Sequence, residues 1–342
     1  MKTIIKTFLT ACFLATFMCA ALHAQVAAPI FIVERGSGKE NSFAFKSITE
    51  AIAALQDGDK FYIPAGNHSA TAQTLTIDKS VFIIGAGCNP APAQNSIILG
   101  PFVITGTNGM KVTGIRFQNL TLTNVSNANI SRCYIGGSTG YTGTGINNIF
   151  NECEFRSAMG STNSTNFSII FNKCIFISTT VLYRYFYNSI FSNCLLMMHS
   201  VGTGAGGNLF SAQNTIFQNN IFYQTSATNG FSGFSNCTFS NNLFVYSPSG
   251  INDTNVQIDN IFDEPITNVF INHAAGDYRL KDECRGKGAG NDGRDVGIFG
   301  TSEPFKVNRL PQNPNISTGS VSSQTDADGK LRVKFKVEAQ EK

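Results

Sequence analysis

The sequence predicts an all-β fold, a single-stranded right-handed parallel β-helix of about nine or ten coils. Three observations predict it. A six-residue pattern recurs at roughly the length of one coil. The composition favours strands and tight turns. Few stretches carry the 3.6-residue period of an amphipathic helix.

The pattern is Phe-x-x-(Cys/Asn)-x-Phe. It is found as Phe150-Asn-Glu-Cys153-Glu-Phe155, Phe171-Asn-Lys-Cys174-Ile-Phe176 and Phe217-Gln-Asn-Asn220-Ile-Phe222. Its fourth position falls at Cys133, Cys153, Cys174, Cys194, Asn220 and Asn242. A period near 20 residues is too short for a helix pair and suits a stacked coil of strands. Equivalent residues then lie one above another at strand spacing, about 4.8 Å. The flanking Phe, Ile and Leu point inward, and the Cys/Asn position stacks at a turn. Asn tolerates left-handed backbone there. Cys is a small apolar residue with a weak donor, and side chains stacked in parallel rarely meet disulfide geometry. The cysteines are therefore expected as reduced ladder residues rather than disulfides or metal ligands. The preceding residues, Arg132, Glu152 and Lys173, alternate in charge and are expected to form a solvated, self-compensating column. The pair Glu152 and Glu154 is the sharper alternative, a catalytic acid pair.

Composition agrees with the repeat. Charged residues make up 14% of the 342, against roughly 25% in ordinary globular proteins, and there are 29 Phe but no Trp. Residues 1–24 read as an export signal: Lys2 and Lys6 precede an apolar stretch that ends in Leu22-His23-Ala24. Leu9-Thr10-Ala11-Cys12 resembles a lipoprotein box, but too few residues precede Cys12 for an apolar region. Without Lys2 and Lys6 the 25 basic residues become 23 against 22 acidic, a net charge near +1. No basic stripe suggests nucleic acid, and no later apolar run reaches the ~18 residues of a membrane span. A secreted or envelope-located monomer is expected.

Ser47 to Gln56 reads as a helix that caps the first coil, with Ser47 and Glu50 in a capping box. The coils are assigned to residues 25–300. Residues 301–342 are a Pro-containing linker followed by a strand, Leu331-Arg-Val-Lys-Phe-Lys-Val337, that alternates apolar and charged residues.

The run Ile48-Thr-Glu-Ala-Ile-Ala-Ala-Leu-Gln-Asp57-Gly58-Asp59, with Phe61-Tyr-Ile-Pro64-Ala-Gly66 and Ile83-Ile-Gly85-Ala-Gly87, resembles the opening of pectin-lyase-like right-handed β-helix proteins. Tyr278-Arg-Leu280, Gly286-Lys-Gly-Ala-Gly290 and Asp295-Val-Gly-Ile-Phe-Gly300 look like the closing signature of secreted bacterial β-helix proteins. The resemblance spans roughly residues 30 to 300. It implies the fold, but this fold hosts lyases, hydrolases, esterases and adhesins alike. It also implies that any substrate groove runs along one parallel sheet, near Val181 to Tyr185 in this chain.

Few acids fall there. A calcium-assisted lyase needs clustered carboxylates, and a glycosidase needs a carboxyl pair. The candidate substrate-binding residues are Tyr183, Arg184, Tyr185, Tyr187 and His199. Asp253, Asp259 and Asp263, beside Glu264, are the candidate ligands for a calcium ion. The expected function is polysaccharide binding or another envelope role without evident catalysis. A polysaccharide lyase or glycoside hydrolase with an atypical site is one alternative, and a structural or adhesive rod is another.

Overall fold

Each six-residue pattern ends one short strand and begins the next across a one-residue left-handed corner. Phe167–Asn172 leads to Lys173 at φ 51°, then to Cys174 and the strand Ile175–Ser178. Phe171 and Phe176 point inward and are fully buried, while Ile175 points to the opposite face. The computed structural model describes residues 29–36, 41–69, 73–88, 95–161, 166–178, 183–198, 210–224, 231–248, 251, 253–307, 309, 315–325 and 331–338. The export signal expected at 1–24 lies outside them.

Stacking the repeats gives an all-β parallel solenoid. Left-handed corners of one type fall at Gly114, Arg132, Glu152, Lys173, Asn193, Asn219, Asn241 and Asp259. These eight corners bound about seven regular turns, where nine or ten coils were expected. The difference lies at the start. Lys60–Ile63 and Phe82–Gly85 stack on the first sheet as parallel rungs, but neither ends in a corner of this type.

Two ladders hold the turns in register. Phe150, Phe171, Phe191, Phe217 and Phe239 stack with centroids 5.6, 4.6, 4.9 and 4.8 Å apart. Near-parallel offset rings are a favoured aromatic geometry. The second ladder is polar. From Cys153 onward the Cys or Asn side chain donates to a carbonyl of the preceding coil. Cys153 reaches Ile130, Cys174 reaches Phe150 and Cys194 reaches Phe171, with Sγ to O distances of 3.4, 3.3 and 3.5 Å. Asn220, Asn242 and Asn260 do the same through Nδ2, each at 2.9 Å. The slot also accepts: Cys174 N donates to Cys194 Sγ, Cys194 N to Asn220 Oδ1, and Asn220 N to Asn242 Oδ1. Sulfur and amide thus play one role. All seven described cysteines are free and buried, and burial pushes the thiols of Cys133, Cys153 and Cys174 well above their usual range.

A further polar ladder, unforeseen in the sequence, occupies a second corner. Asn148 Oδ1, Ser189 Oγ, Thr215 Oγ1 and Asn255 Oδ1 each accept a backbone N–H of the preceding coil. Cys237 belongs to this row and donates to the Ala212 carbonyl.

The N-terminal end is closed by more than a helix. Strands Phe31–Glu34 and Ser42–Phe45 add antiparallel rungs beyond Lys60–Ile63. The helix Ile48–Ala53 is shorter than expected and buries Ile48 and Ala51 against the first coil. Ser47 makes no side-chain cap, so the expected capping box is absent; its carbonyl accepts Ala51 N instead. The far end of the helix is stopped by Arg35, which donates to the Ala54 carbonyl and to both carboxylate oxygens of the buried Asp59.

At the other end the chain does not simply stop. Residues 264–305 lie against the outside of the strands Ile175–Ser178, Leu195–Met198, Ile221–Gln224 and Leu243–Phe244, one arm of the second sheet. Ile175, Leu195, Ile221 and Leu243, which face outward, are buried under Val269, Leu280, Val296, Ile298 and Phe305 in a second apolar core. The approach is close: a Cβ at Gly297, whose φ is 87°, would lie 2.4 Å from Ile221 Cδ1. The alternating segment predicted as a lone strand is one half of a hairpin. Leu331–Glu338 pairs antiparallel with Asn315–Thr325. Its Ser-, Thr- and Gly-rich partner carries no apolar alternation, which is why the sequence concealed it.

Two consequences can be measured. Asn242→Leu removes both donors and the acceptor from one rung, leaving buried backbone groups unpaired at ~1–3 kcal/mol each. Chemical denaturation should show a loss of about 3–5 kcal/mol. The second concerns pH. His68 is buried, edge-on to Phe31, with Nε2 2.7 Å from the Pro64 carbonyl. Burial holds its imidazole below the usual value. The unfolded chain therefore takes up a proton near pH 6.5 before the folded one does. Stability from this ring is complete above about pH 6.5 and declines as pH falls toward the lowered folded value. Melting temperatures measured from about pH 7.5 down to 5 should fall less steeply in His68→Gln than in the parent.

Candidate functional site

The strand Tyr183–Tyr187 lies in the second sheet, between Met159–Ser161 and Phe210–Gln213. It overlaps the segment expected near Val181 to Tyr185; Val181 lies outside the described residues. Phe186 points inward and is fully buried, so Tyr187 faces out, half-buried. Tyr183 and Arg184 pair in register with Met159 and Gly160, and Tyr185 lies between Arg184 and Phe186 on the same strand. His199 lies outside the described residues. Beside Tyr187 is an open depression of about 170 Å³, bordered by Ser211, Gln213, Gly233 and Ser235. The described side chains that border it are uncharged. Thr121, Thr123 and Thr142 continue this face over earlier coils, and the last two join hydroxyl to hydroxyl at 3.0 Å.

The acidic residues do not converge. Asp253 is exposed in a turn. Asp259 forms the last left-handed corner and Asp263 another left-handed turn. Asp263 accepts Ser247 N and Ser247 Oγ, each at 2.9 Å. The neighbouring Glu264 is buried and bound by Arg285 Nε at 2.5 Å. Among the described residues no three or more His, Cys, Asp or Glu side chains are grouped to hold a metal.

The charged column departs most from expectation. Arg132, Glu152 and Lys173 are not solvated: they are 5, 2 and 6% exposed. Glu152 accepts Arg132 Nε at 2.9 Å and Lys173 Nζ at 2.7 Å. The covering is the chain's own closing segment. It runs back over the corners, from Asn241 with Ala289, past Asn219 with Asn291, to Lys173 Nζ with the Glu303 carbonyl. Long side chains are unfavourable at left-handed corners, where Asn is preferred. The ion triad offsets that cost and seals a buried seam. Glu154 is held between Arg156 and Arg309. Both carboxylates of the Glu152–Glu154 pair are thus engaged by cations.

One sequence signal could have revealed the cover. The residue after each ladder position reads Tyr134, Glu154, Ile175, Leu195, Ile221 and Leu243. The change from polar to apolar along an outward-facing row requires something to bury it.

Breaking the triad should cost far more than removing it. Glu152→Gln leaves two buried cations without their counter-charge and should lose about 3–5 kcal/mol in denaturant unfolding. Replacing Arg132, Glu152 and Lys173 together by Asn, the residue of the next three corners, should cost clearly less than that single change. No family model matches the chain, and no curated protein matches it.

Proposed function

We propose that the protein is an exported rod that holds polysaccharide at the cell envelope without cleaving it, using the outer face of the second sheet around Tyr187. One observation carries this reading. The face offers hydroxyls, amides and an aromatic edge, while Glu152, Glu154 and Glu264 are buried in ion pairs elsewhere. Ser211, Gln213 and Ser235 line the depression beside Tyr187, and the hydroxyl row of Thr123 and Thr142 extends it along the rod. Rungs about 4.8 Å apart repeat the same donors and acceptors, which suits a ligand that is itself an extended repeat. An aromatic body with a polar tip matches a sugar ring and its hydroxyls. The resemblance to pectin-lyase-like proteins and the apolar leader at 1–24 support export and a glycan ligand. Arg184 and calcium bound near Asp253, Asp259 and Asp263 belong to the competing reading, a lyase or hydrolase with an atypical site.

Calorimetry with neutral and acidic oligosaccharides, in the presence of calcium, tests both. Saturable binding is expected, weakened about tenfold or more in the double variant Tyr187→Ala, Gln213→Ala, which is about 1.4 kcal/mol. Neither unsaturated nor new reducing ends should appear. Products that form with the parent and vanish with Arg184→Ala would overturn the non-catalytic reading.

A further inference from the structure

The outward row of the second sheet changes character where its cover ends. Arg116, Tyr134, Glu154 and Ile175 lie on consecutive rungs in register. From Ile175 onward the row is apolar and covered. The closing segment reaches Glu154 through Arg309, and beyond that point Tyr134 and Arg116 remain half-exposed.

Three arginines gather along these rungs, two on Glu154 itself and Arg116 on Tyr134, the neighbour of Glu154 in register. Arg156 and Arg309 both donate to Glu154. Arg116 lies over the ring of Tyr134, 4.4 Å from its centroid, and has no carboxylate partner among the described residues. A guanidinium stacked by its face keeps its in-plane donors free. Arg309 is 7% exposed, yet its Nε–H is buried without a partner. Cys88, buried nearby, lies within the field of Arg309, Glu154 and Arg116. Tyr278 lies within the field of Glu154, Arg156 and Arg309.

We propose that this cluster is a binding site for a phosphate-type oxyanion, held by Arg116, Arg156 and Arg309. Charge and shape both argue for it. Three cations against one carboxylate leave a local charge of +2, and a phosphate monoester carries about −1.5 to −2 at neutral pH. A planar carboxylate matches one guanidinium fork. Donors arriving from two rungs and from the closing segment suit a tetrahedral group with three free oxygens. The site is separate from the glycan face and does not depend on it. Free phosphate and a phosphomonoester on a larger molecule share this chemistry.

The test is calorimetric titration of the full chain with inorganic phosphate and with glucose 6-phosphate, at constant ionic strength, with acetate as the planar comparator. Saturable binding is expected for at least one phosphate, and the tighter of the two identifies the source. Arg116→Ala should weaken it about tenfold or more, and Arg116→Lys less. Glu154→Gln removes the competing carboxylate and should tighten it. Arg279→Ala, an exposed arginine paired with Asp277, should change nothing. No saturation, equal affinity for acetate, or unchanged affinity in Arg116→Ala would each overturn the site.

Discussion

One hydrogen-bonding slot, repeated once per turn, governs this fold. A left-handed corner turns the chain between sheets, and the residue after it must satisfy a carbonyl of the coil before and an N–H of a neighbouring coil. Buried backbone groups left unpaired are costly, so the slot admits only side chains that donate and accept at short range. Asn does both through one amide, as at Asn220 and Asn242. Cys does both through one sulfur, as at Cys194. Once the slot is filled in every coil, the phenylalanines on either side come into stack without further instruction.

The same geometry dictates what happens outside the rod. The residue between the slot and the next inward Phe must face away from the core. Where it is Ile175, Leu195, Ile221 or Leu243, the rod acquires an apolar stripe, and the closing segment buries it. That segment also crosses the corners and turns Arg132, Glu152 and Lys173 into a buried triad. The cover stops short of the depression beside Tyr187 and of the half-exposed Arg116.

The primary ladder was legible in the sequence because its members repeat at near-constant spacing and belong to two residue types. The second ladder was not. Its slot is filled by Asn148, Ser189, Thr215, Cys237 and Asn255, which share a hydrogen-bonding role but no residue type. The charged column was seen but misplaced, because what buries it lies far along the chain: Lys173 and Glu303 are 130 residues apart. Pattern arguments work within a coil or between neighbours, and this contact is neither. The antiparallel strands at Phe31–Glu34 and Ser42–Phe45 were hidden for a related reason. Their role is to end the sheet, so they carry no trace of the repeat. The strand Tyr183–Tyr187 overlaps the segment expected near Val181 to Tyr185, because its place follows from the period, whereas Arg116 and Arg309 gained meaning only when the closing segment was in place.

The distribution of Cys and Asn along the ladder has its own logic. Cys133, Cys153, Cys174 and Cys194 occupy the middle turns, and Asn220, Asn242 and Asn260 the last ones. The final rung, Val256–Ile258, is exposed, with Val256 at 55% and Ile258 at 47%. Fewer layers of packing restrain the corner there, so the stronger hydrogen bonds of an amide matter more. The three amides also bond to one another, Asn220 to Asn242 and Asn242 to Asn260, each at 3.0 Å. A thiol row cannot match that chain of cross-links, but in the interior it does not need to. There the stacked rings already set the register, and the smaller, more apolar sulfur fills the slot at a lower desolvation cost. Burial also raises the thiols of Cys133, Cys153 and Cys174 and so suppresses the thiolate, the form that oxidises. Those three cysteines therefore resist pairing into disulfides.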